Sequence, residues 1–182
     1  MNIPNKITML RIILIPFFVF FMLTDVVSGS KYIAAAIFIV ASLTDTLDGY
    51  LARKYQLISN FGKFMDPLAD KLLVSAALVC FVALPENPMP AWVVIVIISR
   101  DFIISGFRLV ASDAGVVIAA DWWGKVKTIV QMLMSILLIV DFEGEIINIV
   151  EYVFIYAALA LTVISLINYL VKNWSVMDDG NM

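Results

Sequence analysis

The chain contains no histidine and only one cysteine, which excludes several common kinds of active site. Cys80 lies inside an apolar run and has no second thiol to pair with, so a disulfide framework and a thiolate metal site are both excluded. General bases, nucleophiles and metal ligands must therefore be carboxylates, hydroxyls or lysines. Charged residues make up only 15% of the chain and the formal net charge is -3, which argues against nucleic acid as a partner.

The sequence is instead rich in apolar residues, at 63% of the chain with a mean hydropathy of +1.00. This composition predicts an all-α, polytopic membrane protein with one domain over residues 1–182. The first apolar run lacks a small-residue cleavage site, so we interpret it as a span rather than a signal peptide. Runs of suitable length predict six transmembrane helices, at 7–23, 32–51, 67–84, 91–110, 126–140 and 146–171.

Basic residues concentrate at one end of the predicted spans, and acidic residues dominate the other end. By the positive-inside rule, both termini and the segment 45–70 face the cytoplasm of a multi-pass protein in the cell membrane, surrounded by membrane lipids. The basic residues on that side are Lys6, Arg11, Arg53, Lys54, Lys63, Lys71, Arg108, Lys125, Lys127 and Lys172.

Four aspartates lie where the second and third spans meet the cytoplasm: Asp45, Asp48, Asp66 and Asp70. The first two are three residues apart and the last two are four apart, so each pair shares one face of a helix. Four carboxylates converging in a partly dry site repel one another unless cations lie among them. Carboxylate ligands suit two hard divalent cations such as Mg2+ or Mn2+. A simpler interpretation, ion pairs with nearby lysines in the headgroup region, does not explain the fixed spacing.

Two glycines and an arginine accompany the aspartates. Gly49 and Gly62 leave room for close approach of backbone or ligand. Arg53 lies one turn beyond Asp48 and could bind a phosphate through two parallel hydrogen bonds. Acids, glycines and an arginine together indicate a metal-dependent diphosphate site.

The pattern D-x2-D-G-x2-A-R-x8-G-x3-D-x3-D over residues 45–70 resembles the complete signature of the CDP-alcohol phosphotransferase family, with no departure. The resemblance implies a six-helix, homodimeric membrane enzyme that transfers a phosphatidyl or related group from a CDP-linked donor to an alcohol and releases CMP. It implies two divalent cations on the four aspartates and a general-base role for Asp70. It also implies donor contacts by Gly49, Ala52, Arg53 and Gly62.

Three flanking segments, 2–11, 99–101 and 124–131, resemble the bacterial family members that use CDP-diacylglycerol and glycerol 3-phosphate. This resemblance implies that Asn5 and Thr8 contact the nucleotide. Taken alone, these two residues would be interpreted as a helix cap and a surface hydroxyl.

An anionic acceptor also needs cations of its own, and residues 99–128 supply them. Arg100 lies near the middle of the fourth span, where a guanidinium must face the protein interior. Our hypothesis is that Arg100, Arg108 and Lys125 bind the acceptor phosphate and that Lys127 assists. One alternative pairs Arg100 with Asp101, although adjacent residues diverge by about 100° on a helix. Another alternative is that the remaining cations contact anionic lipids.

Three other functions fit part of the pattern. A divalent-cation carrier would place its acids near the bilayer midplane, whereas these acids lie at the cytoplasmic edge. An aspartate-rich prenyltransferase also uses metals and a diphosphate, but the G-x2-A-R insertion between the acids speaks against it. Within the family, the cationic fourth and fifth spans favour a phosphorylated acceptor without separating glycerol 3-phosphate from inositol phosphate.

Overall fold

The computed structural model describes residues 3–54, 60–85, 87–113, 118 and 121–174. Within these ranges only the backbone is described at 3–4, 45–54, 60–64, 66–67, 70 and 113. The described residues form helices without any strand, which confirms the all-α prediction. The helices are α1 (Ile3–Leu23), α2 (Ser30–Lys54), α3 (Asn60–Ala83), α4 (Ala91–Asp113), α5 (Trp122–Val140) and α6 (Glu145–Lys172).

The helices α2 and α3 extend beyond the predicted spans into polar sequence. Helix α2 continues to Lys54, and α3 begins at Asn60, seven residues before the expected start at 67. Hydropathy marks only the part of a helix suited to hydrocarbon, whereas backbone hydrogen bonding continues through polar turns. Both aspartate pairs therefore lie inside helices and not at their ends.

Several helices fit a membrane protein by length and composition. Three segments of the described chain are long and apolar enough to cross a bilayer: Asn5–Leu23, Trp122–Val140 and Glu145–Lys172. Two shorter apolar segments are Ser30–Thr44 and Lys71–Ala83. Many large apolar side chains are exposed, Phe17, Ile95 and Ile149 among them, as expected for a surface in lipid. The full count of six spans stays a prediction.

The chain divides into two compact units, described separately here. The first unit comprises Met1–Asn87 and Ser135–Phe142. In it α1 contacts both α2 and α3, and the rings of Phe18 and Phe38 pack with centroids 5.8 Å apart. Buried alanines on α2 and α3, small enough for close helix packing, are Ala34, Ala35, Ala41, Ala69 and Ala77.

The second unit comprises Pro88–Met134 and Glu143–Met182, and in it α4 contacts α6. Two buried hydroxyls of α6, those of Thr162 and Ser165, are satisfied within their own helix. Thr162 donates to the carbonyl of Ala158 at 2.6 Å, and Ser165 donates to the carbonyl of Thr162 at 3.0 Å. These bonds remove the cost of burying two polar groups. The prediction of one domain over residues 1–182 stays a prediction.

Candidate functional site

The four predicted metal ligands lie on two helices of the first unit that contact each other. Asp45 and Asp48 belong to α2, and Asp66 and Asp70 belong to α3. Residues three or four apart on a helix share one face, and the pairing of these four side chains stays a prediction. Their side chains lie outside the described part, as do those of Gly49, Ala52, Arg53 and Gly62. Among the side chains that the structure does describe, no three His, Cys, Asp or Glu residues form a metal-binding group.

Helix α1 contributes a buried polar face to the same unit. Asn5, Thr8 and Arg11 follow each other at intervals of three residues and are 7%, 0% and 1% exposed. Thr8 is thus an interior hydroxyl and not the surface hydroxyl that its position alone would suggest. All three side chains have interaction partners, which makes a buried polar face compatible with an apolar interior.

Arg11 connects this face of α1 to the aspartate-bearing helix. Its Nε donates a hydrogen bond of 3.1 Å to the carbonyl oxygen of Ala41 on α2. Ala41 lies one helical turn before Asp45, so a fixed positive charge is anchored beside the turn that leads into the first aspartate pair. Sequence reasoning used Arg11 for orientation and as part of the flanking segment 2–11, and missed this contact.

In the second unit, the Asp101 carboxylate contacts two of the cationic side chains that were predicted to bind the acceptor phosphate. Lys127 Nζ lies 2.6 and 2.7 Å from the two carboxylate oxygens of Asp101. Arg100 Nη1 donates to Asp101 Oδ1 at 3.0 Å. The expectation that adjacency on the helix weakens the pairing of Arg100 with Asp101 is therefore wrong, since the long arginine side chain bends back to its neighbour.

Arg100 also packs against a glycine of α5. A Cβ atom added at Gly124 would lie 3.4 Å from Arg100 Nη2. Gly124 therefore lies directly beside the guanidinium. The Nε atom of Arg100 is buried and has no hydrogen-bond partner among the described residues.

Arg108 lies over the ring of a tyrosine that sequence reasoning did not select. Its guanidinium carbon is 5.9 Å from the ring centroid of Tyr169 on α6, within the range of a cation–π contact. Phe107 packs edge-on against the same ring, with centroids 5.7 Å apart. In the described part of the chain, the buried Arg108 Nε and Tyr169 hydroxyl have no hydrogen-bond partner. Both groups can donate a hydrogen bond to an anionic ligand.

The two predicted lysines of α5 point in different directions. Lys127 is buried, whereas Lys125 is exposed. Residues two apart on a helix do not share a face, so α5 cannot present both ammonium groups to one side. The structure brings Lys127 to Asp101 and leaves Lys125 on the outer face.

Asp121, just before α5, links the start of this helix to the end of α6. Lys172 Nζ donates to Asp121 Oδ1 at 2.6 Å, and the Asn168 side-chain amide donates to Oδ2. The hydrogen bond from Lys172 holds the pKa of the Asp121 carboxyl below its ordinary value. Because Asn168 and Lys172 flank Tyr169 in sequence, this link fixes the turn that carries the tyrosine.

The model of the CDP-alcohol phosphatidyltransferase family matches residues 1–164, which include the whole aspartate signature. The chain belongs to this family. Its sequence is 44% identical to the CDP-diacylglycerol–glycerol-3-phosphate 3-phosphatidyltransferase of Bacillus subtilis, over 99% of both chains. A protein of the same name from Haemophilus influenzae is 42% identical, over 98% of this chain and 97% of the relative. A probable phosphatidylglycerophosphate synthase of Mycobacterium tuberculosis is 36% identical, over 94% and 81%.

As a CDP-alcohol phosphatidyltransferase, this protein is a membrane enzyme, and the resemblance of residues 45–70 to the family signature is confirmed. The family match ends at residue 164 and does not include Tyr169. A tyrosine near the end of an apolar helix is usually interpreted as an interfacial anchor, so no sequence signal marked it. Asp101 was considered only as an alternative partner of Arg100, because its contact with Lys127 depends on how α5 packs.

Proposed function

We propose that this phosphatidyltransferase transfers the phosphatidyl group of CDP-diacylglycerol to glycerol 3-phosphate. The products are phosphatidylglycerophosphate and CMP, and the reaction serves anionic phospholipid synthesis. The observation that carries the proposal is the extent of the similarity: the relatives with this activity in their names match nearly the whole chain. Relatives that shared only the use of a CDP-linked donor would need to match only the aspartate signature at residues 45–70.

The proposed setting is the cell membrane, with six spans, both termini in the cytoplasm and the active site at the cytoplasmic face. The one-sided distribution of Lys and Arg supports this orientation. The exposed apolar side chains support contact with membrane lipids. We also propose a homodimer, on the basis of the family resemblance alone.

The proposed donor site is formed by α1, α2 and α3. Asp45, Asp48, Asp66 and Asp70 would hold two divalent cations, Mg2+ or Mn2+, and the donor set fits such ions because it contains only carboxylates on two contacting helices. When bound, such cations neutralise diphosphate charge and polarise phosphoryl oxygens. Other proposed donor contacts are Asn5, Thr8, Gly49, Ala52, Arg53 and Gly62. The burial of Asn5 and Thr8 supports an internal binding role.

The proposed reaction is attack by the primary hydroxyl of the acceptor on the lipid-side phosphorus. A new oxygen–phosphorus bond forms, the bond to CMP breaks, and Asp70 accepts the proton of the hydroxyl. Arg53, with its permanent charge, would bind phosphate oxygens of the donor.

The proposed acceptor site uses the cations of the second unit. Arg100 and Arg108 would donate to the phosphate of glycerol 3-phosphate, and their buried, unpartnered Nε atoms support this role. The Tyr169 hydroxyl is a further donor beside Arg108. Lys125, on the exposed face of α5, would attract the anionic acceptor, and Lys127 contributes through its contact with Asp101.

Purified enzyme with CDP-diacylglycerol and Mg2+ or Mn2+ tests the proposal. We expect CMP release only when glycerol 3-phosphate is added, and loss of the reaction on chelation of the metal. Cation flux in proteoliposomes without CMP release would contradict the proposal and support a carrier.

A further inference from the structure

The contact between Lys127 and Asp101 differs from a surface ion pair. The Lys127 side chain is 2% exposed, and its ammonium group contacts both oxygens of the carboxylate. Such a buried ammonium is strongly held by its counter-ion, because separating the two would leave their charges less well paired in a poorly solvated interior. Asp101 therefore holds Lys127 in place.

Asp101 at the same time orients Arg100. One of its oxygens, Oδ1, accepts hydrogen bonds from both Lys127 and Arg100. Gly124 lies against the Nη2 side of the guanidinium. With Nη1 bonded to Asp101, the Nε atom is left buried and without a partner among the described residues. The guanidinium is thus fixed in direction by a carboxylate that itself depends on Lys127.

We propose that Asp101 and Lys127 are positioning residues for the acceptor site: they hold Arg100 in its binding orientation, and Lys127 does not itself contact the acceptor phosphate. The inference rests on the proposed function, since it assigns roles within the same acceptor site. It revises the direct role that the sequence suggested for Lys127. It also explains why a site for an anion contains a carboxylate.

A double-mutant cycle separates positioning from direct contact. The four proteins are the wild type, Asp101→Asn, Lys127→Met and the variant with both substitutions, each assayed for the KM of acceptor and of donor. Asp101→Asn removes the carboxylate that orients Arg100, and Lys127→Met removes the cation that holds this carboxylate, so we expect the acceptor KM to rise by about 10-fold or more in each and the donor KM to change by less than about three-fold. If Lys127 acts only through Asp101, its loss adds little once the carboxylate is gone, so the acceptor KM of the double variant should lie within about three-fold of that of Asp101→Asn.

The two effects would add if Lys127 bound the phosphate directly. In that case the acceptor KM of the double variant would exceed that of Asp101→Asn by about 10-fold or more, and the proposal would be overturned. A lower acceptor KM in Asp101→Asn would overturn it too, because Asp101 would then oppose the acceptor and not position its ligand. If a single variant does not fold, Asp101→Ser or Lys127→Gln takes its place in the cycle with the same expected outcomes.

The choice of acceptor keeps this test distinct from the proposed function. If the wild type uses another phosphorylated alcohol in place of glycerol 3-phosphate, the proposed acceptor is wrong, and the cycle is run with the alcohol that reacts. A double variant no worse than Asp101→Asn with that alcohol still supports the positioning pair. Turnover only with unphosphorylated alcohols would overturn both proposals.

Discussion

The guanidinium carbon of Arg108 lies 5.9 Å from the ring centroid of Tyr169, and the Arg108 Nε and the Tyr169 hydroxyl are both buried without a hydrogen-bond partner among the described residues. A permanently charged donor and a phenol are thus held beside each other with unused hydrogen-bonding capacity. Buried donors of this kind are uncommon unless a ligand uses them. The pair is the strongest structural support for an anion site in the second unit.

Removing either hydrogen-bonding group, Arg108 or Tyr169, should weaken the binding of glycerol 3-phosphate more than the binding of CDP-diacylglycerol. We expect Arg108→Ala to raise the KM of glycerol 3-phosphate by about 10- to 100-fold and Tyr169→Phe by about three- to 30-fold, because hydrogen bonds to a charged phosphate are lost. The KM of CDP-diacylglycerol should change little. Tyr152→Phe, at an exposed position of the same helix, is the matched control. Equal effects on both substrates would remove Arg108 and Tyr169 from the acceptor site.

Asp70→Asn tests the proposed base. The amide cannot accept the hydroxyl proton, so kcat should fall by at least about 100-fold while donor binding stays measurable. Equilibrium binding of CDP-diacylglycerol and single-turnover CMP release measure the two effects separately. The control is Asp25→Asn at an exposed position after α1, with wild-type turnover expected. Near-normal kcat in Asp70→Asn would exclude Asp70 as the base.

Gly124→Ala tests whether the space beside Arg100 matters. The new methyl group would lie 3.4 Å from Arg100 Nη2, an ordinary van der Waals contact, so the acceptor KM should change by no more than about three-fold. Gly106→Ala is the control, since an added Cβ there meets nothing within 4 Å beyond its own stretch of helix. Alanine is favoured over glycine within helices, so neither variant should lose thermal stability. A larger rise of the acceptor KM in Gly124→Ala would mean that the guanidinium needs the space beside the glycine.

The link through Asp121 predicts a pH dependence of stability. Its folded-state pKa is lowered mainly by the hydrogen bond from Lys172, so its contribution is present above the ordinary pKa of aspartate and is lost as pH falls through the lowered value. The thermal midpoint of the wild type should therefore decline more steeply below about pH 4 than that of Asp121→Asn. Parallel curves for the two proteins would show that the carboxylate does not stabilise the fold.

The amino-acid sequence predicted the helices of this protein better than the side-chain contacts between them. Spacing alone put the aspartates in pairs on two helices, because helical periodicity depends only on local sequence. The start of α3 at Asn60 was missed because hydropathy does not register polar helical turns. The different directions of Lys125 and Lys127 follow from helix periodicity, but which of them is buried depends on packing. Tyr169 needed the tertiary structure, since only its contact with Arg108 distinguishes it from an interfacial tyrosine.

Competition among acceptors tests the central claim most directly. Purified enzyme receives CDP-diacylglycerol, Mg2+ and equal concentrations of glycerol 3-phosphate, inositol phosphate, glycerol and serine, and the lipid products are identified by mass spectrometry. The proposed acceptor site predicts phosphatidylglycerophosphate as the dominant product, with CMP released in equal amount. A dominant product from inositol phosphate, or from either unphosphorylated acceptor, would contradict the assignment of glycerol 3-phosphate.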